Sequence, residues 1–181
     1  DKQFAGALRQ SIALDRRTGG EDAQIFQLGN LAMNNQMYDE AKKAYDYLQS
    51  KGEDNPFYQQ AFIYNIHASY LHYINKSSGD SEAGENVAGQ FDKGLELIGY
   101  SASTLNMIRE YSHLLAFYLD ETDKAIAVLE KGLKVPGLKP EEIGILKTEM
   151  ADIYLYTGDQ WEAVLLYSQV IDENKNNDLV D

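Results

Sequence analysis

Four stretches of the chain place a small or slim residue four positions before a large one, and each follows another amphipathic stretch that ends in a turn signal. The pairs are Ala41 and Tyr45 in QMYDEAKKAYDYLQ, Val87 and Phe91 in ENVAGQFDKGLELIG, Ala125 and Leu129 in TDKAIAVLEKGL, and Ala163 and Tyr167 in DQWEAVLLYSQV. Positions three or four apart share one helical face, so each stretch sets a small and a bulky residue on the same side. The chain therefore reads as helix, turn, helix, four times over. Units of this kind bury their apolar faces by stacking on one another.

The stretches that precede the pairs carry matching stripes. Ile25, Leu28, Gly29 and Ala32 share a face in the first, Ile108, Tyr111, Ser112 and Leu115 in the third, and Lys147, Met150, Ala151 and Tyr154 in the fourth. Gly29 and Ala151 are small where two helices approach closely. The second stretch fits through Tyr64, Ala68 and Leu71, with His67 where a leucine is expected. Between the last two stretches, Gly158 suits a helix end and Asp159 can accept bonds from the next helix's free amides. Ala163 then falls at the crossing. Trp161 reads as a structural residue of the same hinge.

These residues resemble the tetratricopeptide repeat, a unit of about 34 residues. The fourth occurrence matches best, through Ala151, Tyr154, Gly158, Asp159, Ala163 and Tyr167, and the first is nearly as good. None has the family's final proline. The resemblance covers about residues 20 to 177 and implies an all-α fold: a right-handed α-solenoid superhelix of about four repeats plus an N-terminal orphan helix. Residues 1–181 form one domain in this reading, with the orphan helix at 3–16 and repeats at about 22–55, 56–99, 103–137 and 139–177. Equivalent positions lie 46, 38 and 38 apart (Ala41, Val87, Ala125, Ala163), so each unit exceeds the family length. The polar, Gly-containing NKSSGDSEAGEN at 75–86 is expected to be a long loop that absorbs the first surplus. The second falls around 99–103 and 120–122. The third falls in VPGLKPEE, where Pro140 suits a first helical position and Glu141 and Glu142 suit the first turn. FAGALRQSIAL at the start looks like the second helix of a unit and NNDLVD stands where another would begin, so flanking repeats or domains are expected in a longer array.

Composition limits the chemistry. With 29 acidic and 16 basic residues the formal charge is −13, which argues against neutralising nucleic-acid phosphates; solubility is the plainer reading of that charge, and a basic or neutral partner the other. There is no cysteine, so disulfides, thiolate metal sites and cysteine nucleophiles are excluded. No apolar run approaches the 18 or so residues of a membrane span. His67 and His72 are five apart, about 140° round a helix, and do not share a metal-binding face. His113 stands alone in its helix. The Gly-rich SSGDSEAGENVAG lacks the ending of a phosphate loop. Asp172, Asn174, Asn176 and Asp178 alternate as in a calcium loop but lack its glycine. Asn75, Lys76 and Ser77 form a glycosylation sequon. No metal, cofactor or catalytic constellation is expected. Most tyrosines, including Tyr45, Tyr64, Tyr154 and Tyr167, read as core, while Tyr58, Tyr73, Tyr100 and Tyr118 read as surface candidates.

The resemblance also implies where a ligand sits, because the family's first helices line a channel that holds peptides. The matching positions are Phe26, Asn30 and Met33, then Asn65, Ser69 and His72, then Asn106, Arg109 and His113, and finally Thr148 and Asp152. Repeat packing falls to Gly29, Ala41, Tyr45, Ser112, Ala125, Ala151, Tyr154, Gly158, Ala163 and Tyr167. Phe26 replaces the lysine of the family's carboxylate clamp. The implied function is a non-catalytic scaffold that binds a protein or peptide. A ligand-sensing regulatory domain is the alternative, followed by an enzyme with a site grafted onto the helices. LYTGDQWEAVLLYSQV is similar to bacterial multi-repeat proteins, some of the cell envelope, which favours periplasm or envelope over cytoplasm.

Overall fold

A computed structural model describes the backbone of residues 2–175 and the side chains of residues 2–173. The described residues form nine α-helices: α1 (Lys2–Thr18), α2 (Asp22–Asn34), α3 (Tyr38–Ser50), α4 (Tyr58–His72), α5 (Ser81–Ile98), α6 (Leu105–Tyr118), α7 (Thr122–Leu133), α8 (Pro140–Thr157) and α9 (Gln160–Lys175). A π turn, Tyr73–Ser77, extends α4, and a 3-10 turn, Ala102–Thr104, leads into α6. No strand occurs among the described residues. Asn176 and Asp178 of the alternating Asp/Asn run lie outside them. The chain forms two compact units, one up to Gln90 and one from Phe91, so α5 contributes to both.

The first unit is built on α2 and α3. Ile25, Gly29 and Ala32 face Ala41, Ala44, Tyr45 and Leu48, all buried, and Ala61 and Ala68 of α4 close the core from the other side. A Cβ at Gly29 would lie 2.6 Å from a ring carbon of Tyr45, so glycine is what lets that ring settle against α2. Helix α1 adds Leu8 to this core and is tied down by buried Asp15. The Asp15 carboxylate accepts from Lys51 Nζ at 2.8 Å, from Tyr47 Oη at 2.7 Å and from the Glu21 amide at 3.0 Å.

The second unit repeats the scheme. Ile108, Tyr111, Leu114 and Leu115 of α6 are buried with Ala125 and Leu129 of α7 and with Leu146, Ala151 and Ile153 of α8. Gly132 is close-packed, since a Cβ there would stand 3.1 Å from Ile108 and 3.3 Å from Leu146. Pro140 opens α8, with the Lys139 amide donating to the Glu142 carboxylate at 2.7 Å. Gly158 closes it in the left-handed region at φ 91°. Ala163 is buried at the meeting of α8 and α9. Ala163→Leu is expected to overpack that contact and cost about 1–3 kcal/mol, read as a lower urea midpoint, whereas an unchanged midpoint would remove Ala163 from the crossing.

Several expectations need correction. The stretch 75–86 is no long loop, because α5 starts at Ser81 with Asp80 Oδ1 accepting from the Ala83 amide at 3.1 Å. A capping aspartate followed by Glu82 starts a helix despite the glycines, each of which costs only about 1 kcal/mol. Tyr73 is buried, because α4 runs on through the wider π turn and brings its hydroxyl to the Ser78 carbonyl at 3.2 Å. Trp161 is 88% exposed. Two positions before Ala163, it points about 200° away round the helix, so the crossing does not touch it. The first helix of the second repeat, α4, buries Ala61, Ile66, Ala68, Ser69 and Tyr70, and Tyr64 is 40% exposed. The Asp159 carboxylate accepts from the Thr157 hydroxyl at 3.3 Å, and it is the Asp159 backbone carbonyl that accepts from the Ala163 amide of α9, at 3.2 Å.

Candidate functional site

Helix periodicity places Asn106, Arg109 and His113 along one side of α6, and Glu141, Ile145, Thr148, Glu149 and Asp152 along the facing side of α8. These two rows border three adjoining cavities. The first, about 290 Å³, includes Asn106, Arg109 and Ile145. The next, about 480 Å³, shares Arg109 and Ile145 with it and adds Glu141, Thr148, Glu149 and Asp152. The last, about 160 Å³, shares Glu149 and Asp152 and ends at His113 and Phe117. Shared walls make them one trough.

Its polar groups are held in place. Arg109 Nε donates to Glu149 Oε1 at 2.6 Å, while Glu149 Oε2 is buried with no hydrogen-bond partner. Burial raises the Glu149 carboxyl above its ordinary value, and Arg109 opposes the shift. Asp152 accepts from the Tyr167 hydroxyl, and that bond pushes the phenol up to about 12. Thr148 donates back to the Gly144 carbonyl at 2.8 Å, and Asn106 donates to Glu110 at 2.8 Å. One end is aromatic: His113 lies 5.1 Å from Phe117 and 5.6 Å from Tyr118, and Phe117 meets Tyr156 edge-on at 5.2 Å. Burial among these rings lowers the His113 imidazole, against a raising effect of Glu110.

In the first unit the matching positions turn inward. Phe26 packs on Tyr45, Phe57 and Tyr64 with centroids 5.3–5.8 Å apart. Asn30 accepts from the Tyr45 hydroxyl at 2.8 Å, Met33 packs on the core, and Asn65 donates to Asp46. Ser69 is only 2% exposed and its Oγ has no hydrogen-bond partner, which costs about 1–3 kcal/mol. His72 Nδ1 stands 3.2 Å from an Asp39 oxygen. The trough thus gathers Asn106, Arg109, His113, Thr148 and Asp152 in the second unit, while Phe26, Asn30, Met33 and Asn65 serve contacts within the first.

Glu149, Ile145, Phe117 and Tyr156 complete the trough, and sequence reasoning missed them. Glu149 carries no signal of its own, because its meaning comes from Arg109, forty positions earlier. Among the described residues no group of three or more His, Asp or Glu side chains is placed to hold a metal ion. None of the helices is long and apolar enough to cross a membrane among those residues.

No family model and no curated protein matches the sequence. Solved structures do share its fold. The crystal structure of MamA superposes with a TM-score of 0.68 at 13% identity, over 96% of this chain and 90% of that one. TTC0263, a thermophilic tetratricopeptide-repeat protein of Thermus thermophilus, gives 0.62 at 17% identity, over 95% and 84%. At such identities the likeness concerns the fold alone. Helix pairs in series, closed by small residues such as Gly29, Gly132, Ala151 and Ala163 and shared in outline with these structures, give this chain the all-α solenoid fold of a tetratricopeptide-type repeat protein.

Proposed function

We propose that the chain is a non-catalytic binding scaffold, and that the trough between α6 and α8 holds an extended peptide or a segment of a partner protein. The observation that supports this most is the continuity of the three cavities through Arg109, Glu149 and Asp152. An extended chain needs hydrogen-bonding groups at intervals, and Asn106, Thr148 and Arg109 supply donors and acceptors along the row. Carboxylates outnumber cations there: Glu141, Glu142, Glu149 and Asp152 stand against Arg109. A basic or neutral segment therefore fits better than an acidic one, in keeping with the formal charge of −13.

The test uses exposed side chains so that folding is spared. Lys-rich, neutral and Glu-rich peptides are titrated against the wild type and against Glu141→Lys/Asp152→Lys. The Lys-rich series is expected to bind best at low salt and to weaken about tenfold or more in the variant, a gap that narrows in high salt as the charges are screened. Equal affinity in both proteins, with unchanged helicity, would place the binding surface elsewhere.

A further inference from the structure

The first unit holds a polar cavity of about 450 Å³, walled by α3, the end of α4 with its π turn, and the start of α5. That volume suits a small molecule. Ser69 lines it, and its buried Oγ lacks a partner although a helical serine can bond back to the carbonyl four residues earlier. Lys42 lines it as well. This partly buried lysine forms no ion pair among the described residues, in a chain rich in carboxylates. His72 turns Nδ1 to Asp39, and in that tautomer its other ring nitrogen is an acceptor. The start of α5 brings the opposite charge. Asp80 and Glu82 are exposed there, and Asp80 spends one oxygen on the Ala83 amide.

Lys42 on the α3 wall, where the Asp39 carboxylate is already engaged by His72, and the exposed carboxylates of the α5 wall together select against ligands of a single charge. An anion that reaches Lys42 also meets Asp80 and Glu82, and a cation that reaches those carboxylates also meets Lys42. A molecule carrying both charges satisfies each wall. We propose that this cavity binds a small zwitterion of the amino-acid type, its carboxylate towards Lys42 and Ser69 and its ammonium towards Asp80 and Glu82. The site lies within the first unit and does not depend on the peptide trough of the second.

The experiment is a titration of the labelled full chain, followed by amide NMR, with glycine, L-serine, L-glutamate and L-lysine, and with acetate and ethylamine as single-charge controls. At least one amino acid is expected to shift amides around Lys42, Ser69, His72 and Asn86 to saturation, and both controls are expected to bind at least tenfold more weakly. Lys42→Met and Ser69→Ala should each weaken binding about tenfold, the size of a lost charge-assisted hydrogen bond. Ser69→Ala should also leave the ligand-free thermal midpoint level or higher, because no folded-state bond is removed. Asp152→Lys should leave every one of these shifts in place. The proposal fails if no amino acid saturates at millimolar concentration, if a control binds as tightly, or if both variants bind like the wild type. A lower ligand-free midpoint for Ser69→Ala would also overturn it, by showing that the hydroxyl already has a structural partner.

Discussion

Gly29→Leu is expected to lower the thermal midpoint by roughly 6–12 °C, from an overpacking cost of about 3 kcal/mol and about 2–4 °C per kcal/mol at this size. The Tyr45 ring lies where the new side chain must go, with its Cε1 2.6 Å and its Cζ 3.0 Å from the Cβ position. It cannot step aside. Tyr45 is fully buried, Ala44 closes one flank with its Cβ at 3.2 Å from the same point, and the hydroxyl is bonded to Asn30. Helix propensity pulls the other way, since leaving glycine gains under 1 kcal/mol, so the clash wins. Tyr45→Ala alone is expected to cost about 3–5 kcal/mol for the cavity left behind. Together the two changes exchange a large and a small partner across one contact. The double variant should therefore cost clearly less than the sum of the singles, by about 1 kcal/mol or more in a thermodynamic cycle. Strict additivity in that cycle would mean that Gly29 and Tyr45 do not touch.

The same pair shows why the fold was readable in the sequence. Gly29, Ala41, Ala125, Ala151 and Ala163 mark close approaches, and an interval of three or four residues carries their meaning without knowledge of distant partners. Turn chemistry was partly readable as well. Pro140 and Gly158 behave as local rules require. At Asp80 a capping aspartate outweighs the glycines and serines nearby, so a helix starts where composition predicts a loop. What periodicity cannot supply is the partner. Trp161 and Ala163 belong to one helix start yet face opposite ways, and nothing at position 161 itself says that its side is uncovered. Glu149 becomes part of the trough only because Arg109 reaches it, and nothing at position 69 itself says that the Ser69 hydroxyl is buried without a partner. The positions on α6 and α8 implied by family likeness came together as a row. Those on α2 turned to the core because Phe26 found three aromatic neighbours there.

Asp15 is a further residue with no signal of its own in the sequence, and it carries the strongest expected dependence on pH. It sits near the end of α1, with its side chain 2% exposed. The hydrogen bond from Lys51, then that from Tyr47, with a smaller contribution from the Glu21 amide, outweigh burial and hold its carboxyl at about 2. An unfolded aspartate titrates near about 3.9. Because the folded value is the lower one, the stabilisation is complete above the unfolded value and disappears as pH falls through the folded one. At about 1.4 kcal/mol per unit, roughly 2 kcal/mol is lost between about pH 5 and pH 2. Asp15→Asn removes the charge while keeping the shape. It is expected to cost about 2–4 kcal/mol at pH 7, less than an ion pair broken outright, because Lys51 keeps Asp22 at 2.5 Å. Other carboxylates titrate in the same window, so the informative quantity is the gap between wild type and variant in urea unfolding. That gap should shrink by about 2 kcal/mol between pH 7 and pH 2.5. A gap of constant size across those two conditions would show that Asp15 is protonated alike in the folded and unfolded chain, and that α1 is anchored by Leu8 and its neighbours without the charge.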